Sequence, residues 1–174
     1  LTDFPAASKK DRENGVNSLS YGSPAYTFYF LLLNAFPESL VLTLALFSLL
    51  NLRFKAGKIL AIAGLQAISN LVEFLPVNSG VHSIILIFTL VIFTYIFTRA
   101  QLSKIFLSEI VLWIVMLLSL MIYLQPLLRL TGLAYEAVNN SPFLTSAFIV
   151  PYELLFLAFA LWKNHYNRRR GLFL

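Results

Sequence analysis

Val81–Thr98 reads VHSIILIFTLVIFTYIFT, and it contains no Asp, Glu, Lys or Arg. A helix crossing the hydrocarbon core of a bilayer needs ~20 apolar residues. Consecutive apolar runs such as Ser83–Phe88 fit a helix with lipid around most of its circumference. A barrel strand would alternate with a period of two, which is not seen, and backbone groups in lipid must pair within their own segment. Four further stretches read the same way: roughly Ala25–Leu52, Ile59–Leu75, Ile105–Leu124 and Pro142–Trp162. The expectation is an all-α, polytopic transmembrane helical bundle of five spans. Gln66, Ser69 and Asn70 weaken the short second stretch, so four spans plus a re-entrant segment is the alternative.

The composition of the 174 residues agrees. Residues AVILMFWYC make up 59% and DEKR only 12%, and the mean hydropathy is +0.78. An ordinary soluble domain carries roughly a quarter charged residues. A soluble enzyme, a disordered segment and a free nucleic-acid-binding domain are thereby excluded. With no Cys in the chain, disulfides, thiolate metal sites and Cys nucleophiles are excluded as well.

Residues 1–20 hold Asp3, Lys9, Lys10, Asp11, Arg12 and Glu13 and read as a polar N-terminal extracytoplasmic arm. Residues 21–166 form the five-helix domain, and 167–174 a basic cytoplasmic tail. Lys/Arg bias sets the orientation. Arg53, Lys55, Lys58, Arg99, Lys104, Lys163, Arg168, Arg169 and Arg170 fall on one side, nine basic residues against Arg129 and the three of the arm. This places the N-terminus outside and the C-terminus in the cytoplasm, as an odd number of spans requires. Tyr21, Tyr26 and Tyr29 at one end, and Trp162 and Tyr166 at the other, read as interfacial anchors. Pro76, Asn78 and Gly80 suit a tight external turn, and Gln125–Ser141 an amphipathic segment along the outer surface.

Ionisable groups inside a bilayer are costly, so each requires a reason. Glu153 lies near the middle of the fifth span after Pro151, and Glu38 follows Pro37 in the first, with Asn34 four residues earlier on the same face. Gln66, Asn70 and Glu73 share one stripe of the second span, and His82 begins the third. If polar stripes face inward, Asn34, Glu38, Asn70, Glu73, His82 and Glu153 converge in the outer half of the membrane. One reading is an outward-open cavity for a cation, proton or small polar ligand. The other is that Glu38 and Glu153 are hydrogen-bonded packing glue between helices while Glu73 reaches to the aqueous boundary. Glu109 is expected to snorkel or to pair with Lys104. Arg129 and Glu136 suit a surface pair. Lys163, Arg168, Arg169 and Arg170 fix topology or hold anionic lipid headgroups. Gly64, with Ala61, Ala63 and Ala67, would permit a close helix contact.

No HExxH, GxSxG or phosphate-binding glycine loop is present, and no span contains Asp. His82 and His165 fall on opposite sides and cannot share a metal or haem. No enzyme, cofactor, metal or nucleic-acid partner is expected.

Three segments carry a resemblance: Glu38-Ser-Leu-Val-Leu-Thr-Leu-Ala-Leu-Phe, Phe74-Leu-Pro-Val-Asn-Ser-Gly-Val-His82-Ser, and Leu130-Thr-Gly-Leu-Ala-Tyr-Glu-Ala-Val-Asn139-Asn-Ser-Pro142. They resemble the membrane sensor region of Gram-positive accessory-gene-regulator-type histidine kinases, over about residues 30–165. The resemblance implies a bacterial cytoplasmic membrane and a role in signal transduction, and it assigns no site residues. The arm is additional to that pattern. Four residues follow Arg170, too few for a dimerisation helix or kinase domain. The expectation is a sensor-like region that has lost its output domain or signals through a separate chain. Two functions therefore stand side by side. One is a non-enzymatic accessory or sensor-like subunit associating with a larger membrane partner or a second copy. The other is a small solute or ion transporter, or its substrate-binding subunit, using the polar cavity.

Overall fold

The structure, a computed structural model, describes residues 23–75 and 79–173, apart from the side chains of Ser79 and Glu136. The N-terminal arm, the anchor Tyr21, the turn around Pro76 and Asn78 and the Arg129–Glu136 pair lie outside the described residues. Among the described residues every regular element is helical.

Ser23 caps α1 (Pro24–Leu49): its hydroxyl accepts from the Tyr26 N–H at 3.1 Å, and Pro24 occupies the first turn, where no donor is lost. Pro37 removes the donor that the Leu33 carbonyl would accept in a regular helix. A π turn over Leu31–Ala35 absorbs the disturbance, with the Phe36 N–H donating to the Leu31 carbonyl. The α1 helix closes at Asn51 in the left-handed region (φ 55°), with the Leu52 N–H donating to the Phe47 carbonyl at 2.9 Å. Helix α2 (Ala56–Ser69) tightens into a 3-10 turn over Asn70–Phe74. Then come α3 (Ser79–Thr98), α4 (Leu102–Thr131), the short α5 (Tyr135–Asn139) and α6 (Pro142–Arg170).

Among the described residues four helices are long and apolar enough to cross a membrane: Pro24–Leu49, Gly80–Thr98, Leu102–Thr131 and Pro142–Arg170. The second of the five expected stretches, α2, is not among them, because its α-helical part ends after 14 residues at the polar Ser69-Asn70 pair. The expected surface segment Gln125–Ser141 is corrected. Helix α4 runs on through Pro126 to Thr131, where the Thr131 hydroxyl donates to the Leu127 carbonyl at 2.9 Å and Gly132 (φ 67°) closes the helix. Pro126 costs one backbone hydrogen bond, too little to stop a helix this apolar. Likewise α6 continues past Trp162 to Arg170.

Interhelical contacts fix the directions. Asn34 meets Pro142 and Ser48 meets Ala160, so α1 and α6 run parallel. Lys58 meets Phe97 and Gln66 meets Leu86, so α2 and α3 are antiparallel, while Asn70 reaches back to Ser39 of α1. Thus α2 traverses the bundle from one end to the other. The centre is α1, with half of its most apolar window buried (50%) against 22% for each of the other three long helices. Its Leu42, Ala45 and Leu46 pack on Ile59 and Ile62 of α2, Leu90 of α3, Leu112 of α4, and Phe156 and Ala160 of α6. The outward faces carry Ile84, Phe88 and Ile92 on α3, Leu107, Ile114 and Leu118 on α4, and Leu154 and Leu161 on α6. So much exposed apolar surface suits lipid, not water. Ala63 and Ala67 of α2 are buried at the contact, whereas a Cβ on Gly64 would meet nothing within 4 Å. The close contact therefore belongs to the alanines, and the expectation for Gly64 is corrected.

Candidate functional site

The α1–α6 seam is fastened by side chains that use backbone acceptors. The Ser146 hydroxyl donates to the Leu33 carbonyl at 3.0 Å, the acceptor that Pro37 left without its usual donor. Asn34 Nδ2 donates to the Pro142 carbonyl at 3.1 Å. Toward the far end, Ser48 Oγ donates to the Ala160 carbonyl and Asn167 Nδ2 to the Ser48 carbonyl, each at 2.8 Å. Between these lies Glu38, whose Oε1 accepts from the Tyr152 hydroxyl. Interhelical hydrogen bonds in membranes average about 0.6 kcal/mol each. Five along one seam therefore specify how α1 and α6 are rotated more than they add to stability.

On its other side Glu38 faces a cavity of about 560 Å3 between α1, α2, α3 and α4. Ser39, Asn70, Glu73, His82, Ser83, Trp113 and Tyr135 also line it, with Leu42, Leu86, Met116, Leu117 and Leu120 as apolar wall. The α2 wall is held by hydrogen bonds. Asn70 Nδ2 donates to Ser39 Oγ and to the Gln66 carbonyl, both at 3.3 Å. Gln66 Nε2 donates to the Leu86 carbonyl, and its Oε1 accepts from Thr89, both at 3.0 Å. Asn70 ends the α-helical turns, and the 3-10 turn it opens carries Glu73 to the rim.

Four of the six expected residues, Glu38, Asn70, Glu73 and His82, line this one cavity. Asn34 does not: it is fully buried and turned to α6, with its Oδ1 lacking a partner among the described residues. Glu153 does not line it either, although it stands within electrostatic reach of Glu38, as does Glu73. A helix turns ~100° per residue, so the face that meets Glu38 belongs to Tyr152 and Glu153 points elsewhere. The sequence reading passed over Tyr152. Its signal was the stripe Phe148, Tyr152, Phe156, Ala160 on the buried face of α6, where a phenolic hydroxyl requires a partner.

Trp113 was missed for a similar reason. It lines the cavity, and its indole N–H donates to Glu109 Oε1, one turn earlier, at 3.0 Å. Glu109 is fully buried and Lys104 is exposed, so the expected snorkelling or lysine pairing gives way to an indole hydrogen bond. Of the basic residues near the C-terminus, Lys163 Nζ and the Arg170 guanidinium each lie 5.2 Å from the centre of the Tyr166 ring, Arg168 lines a separate cavity with Arg53, and Arg169 is exposed.

Two carboxyl groups and an imidazole thus share the cavity, and among the described residues no Lys or Arg lines it. His82 Nε2 is buried with no partner among the described residues, so it is available to a ligand. Among the described residues no three His, Asp or Glu side chains are grouped so as to hold a metal ion. The volume falls within the ~300–1,000 Å3 of small-molecule pockets. The lining favours a positively charged or hydrogen-bond-donating guest with an apolar portion.

No protein-family model, curated protein or solved structure matches the chain.

Proposed function

We propose that this is a non-enzymatic, multi-pass protein of the bacterial cell membrane, acting as an accessory or sensor-like subunit beside a larger membrane partner or a second copy. The observation that carries this reading is the cavity holding Glu38, Glu73 and His82 with no Lys or Arg in its lining among the described residues. It receives a small cationic ligand, an amine or the basic end of a short peptide, from outside the cell. In this reading α2 is the fifth span: 14 α-helical residues and a five-residue 3-10 turn rise about 31 Å, enough for the hydrocarbon core. The N-terminus is then outside and the C-terminus cytoplasmic, consistent with nine basic residues at one end. The likeness to sensor regions of accessory-gene-regulator-type kinases fits the same role.

The test is ligand-dependent thermal stabilisation of the full chain in nanodiscs against a panel of amines and short basic peptides. Stabilisation lost in Glu38→Gln and retained in Arg169→Gln supports the reading; no stabilisation by any cation removes it. A second reading, a small solute or ion transporter, draws on the prolines that stand in both helices beside the Glu38–Tyr152 contact, Pro37 and Pro151. Flux in proteoliposomes that Glu38→Gln with Glu153→Gln abolishes would select the transporter. Stabilisation without flux selects the sensor.

A further inference from the structure

At the end of the bundle where α1, α3 and α6 finish, nine basic residues gather, and among the described residues no Asp or Glu lines three cavities there. One of these cavities, about 510 Å3, lies between the α1–α2 link and the end of α6. Arg53 and Arg168 share its lining with Asn164, Phe54, Gly171 and Phe173. Its walls are anchored. Asn167, beside Arg168, is fully buried and bonds the Ser48 carbonyl, while the left-handed turn at Asn51 carries the chain straight to Arg53. The Arg53 guanidinium is held 5.9 Å from the centre of the Phe173 ring. Lys55 and Lys58 line the adjoining cavity, to which Arg53 also contributes.

Two guanidinium groups facing one cavity repel each other unless an anion lies between them. Their planar forks match the oxygens of a phosphate better than any other common anion except a carboxylate. Among the described residues no Asp or Glu lines this cavity. We propose that the cavity binds a phosphate group, from either the headgroup of an anionic phospholipid or a free phosphate ester. This site is independent of the carboxylate cavity: the two share no lining residue, and Arg53 lies fifteen residues past Glu38, beyond the C-terminal end of α1.

The experiment uses the full chain in nanodiscs of phosphatidylcholine, with and without phosphatidylglycerol. Lipid retained on release from the disc is read by native mass spectrometry, and thermal shift is measured with inorganic phosphate and pyrophosphate. Replacing both arginines, Arg53→Gln with Arg168→Gln, is expected to lower retention or phosphate-dependent stabilisation at least fivefold. The charge-matched pair Arg169→Gln with Arg170→Gln is expected to leave it within twofold. Arg53→Lys with Arg168→Lys keeps the charge but loses the fork, and is expected to fall between; circular dichroism of every variant checks the fold. Retention of phosphatidylglycerol without a response to phosphate assigns the lipid source, and a response in phosphatidylcholine discs assigns the free one. Equal loss in both glutamine pairs, or no response to either probe by the native chain, overturns the proposal.

Discussion

Glu38 and Arg53 lie fifteen residues apart on and just beyond the same helix, and their surroundings differ in kind. Around Glu38 the polar groups are tied into the bundle: Tyr152 donates to its carboxyl, Asn70 holds Ser39, and Ser146 caps the carbonyl freed by Pro37. Around Arg53 the backbone is tied down, through Ser48 and Asn167, while the charges themselves line open cavities or stack on aromatic rings. At the first end a carboxyl group is buried and positioned by hydrogen bonds, and at the second charge is displayed on a fixed frame. A buried ionisable group acts by selecting what enters, whereas a displayed charge acts by attracting what is already abundant at a membrane surface.

The largest expected effect tests the first end. Glu38→Gln should weaken a cationic ligand about 100-fold, since removing one partner of a buried charge pair costs ~2–5 kcal/mol. The amide oxygen still accepts from Tyr152, so the melting temperature should barely move. A large fall in melting temperature with unchanged affinity would make Glu38 packing glue and erase the contrast. Next in size is Asn167→Ala at the second end. It removes a fully buried side chain that fixes the α1 cap, and about 2 kcal/mol of stability should be lost, read by denaturant unfolding in bicelles. If nothing is lost, the frame under Arg53 and Arg168 is not the rigid one described.

Much of this was legible in the sequence, because spans announce themselves by length and apolar content and stripes by helical period. Val81–Thr98 lies within α3, and Glu38, Asn70, Glu73 and His82 meet in one cavity. What was not legible was rotation. The four-residue spacing put Asn34 and Glu38 on one side of α1, and both do meet α6, at Pro142 and Tyr152, but only Glu38 also reaches the cavity. Glu153 and Tyr152 are neighbours in sequence and ~100° apart on the helix, and only packing decides which of them meets Glu38. Lys104 looked like the partner of Glu109 because opposite charges attract. The indole one turn ahead was closer to hand and could follow the carboxyl into the interior. The segment Gln125–Ser141 read as a separate surface piece because polar residues interleave with its leucines, yet the helix runs on through Pro126 to Thr131.

A smaller effect is expected at Ser146. Ser146→Ala leaves the Leu33 carbonyl without its donor and should cost about 1 kcal/mol. Pro37→Ala supplies a backbone N–H that can close an ordinary turn onto the same carbonyl. The two substitutions should therefore couple, with the loss from Ser146→Ala shrinking in the Pro37→Ala background. Strict additivity would mean that the Ser146 bond does not compensate for the proline, and that the first end is held in some other way.

The smallest effect belongs to neither end and sets a zero for both. Gly64 sits midway along α2, and a Cβ there would meet nothing within 4 Å. Alanine is favoured over glycine in a helix by up to ~1 kcal/mol in water, and by less where the backbone is already confined by lipid. Gly64→Ala should thus raise stability by a few tenths of a kcal/mol in nanodiscs and leave both cavities unaffected. A loss larger than ~1 kcal/mol, or a change in oligomeric state, would mean that another helix packs closely at Gly64 in the membrane. The open face of α2 would then be where a partner or a second copy docks, and the contrast between the two ends would have to be redrawn with a third surface between them.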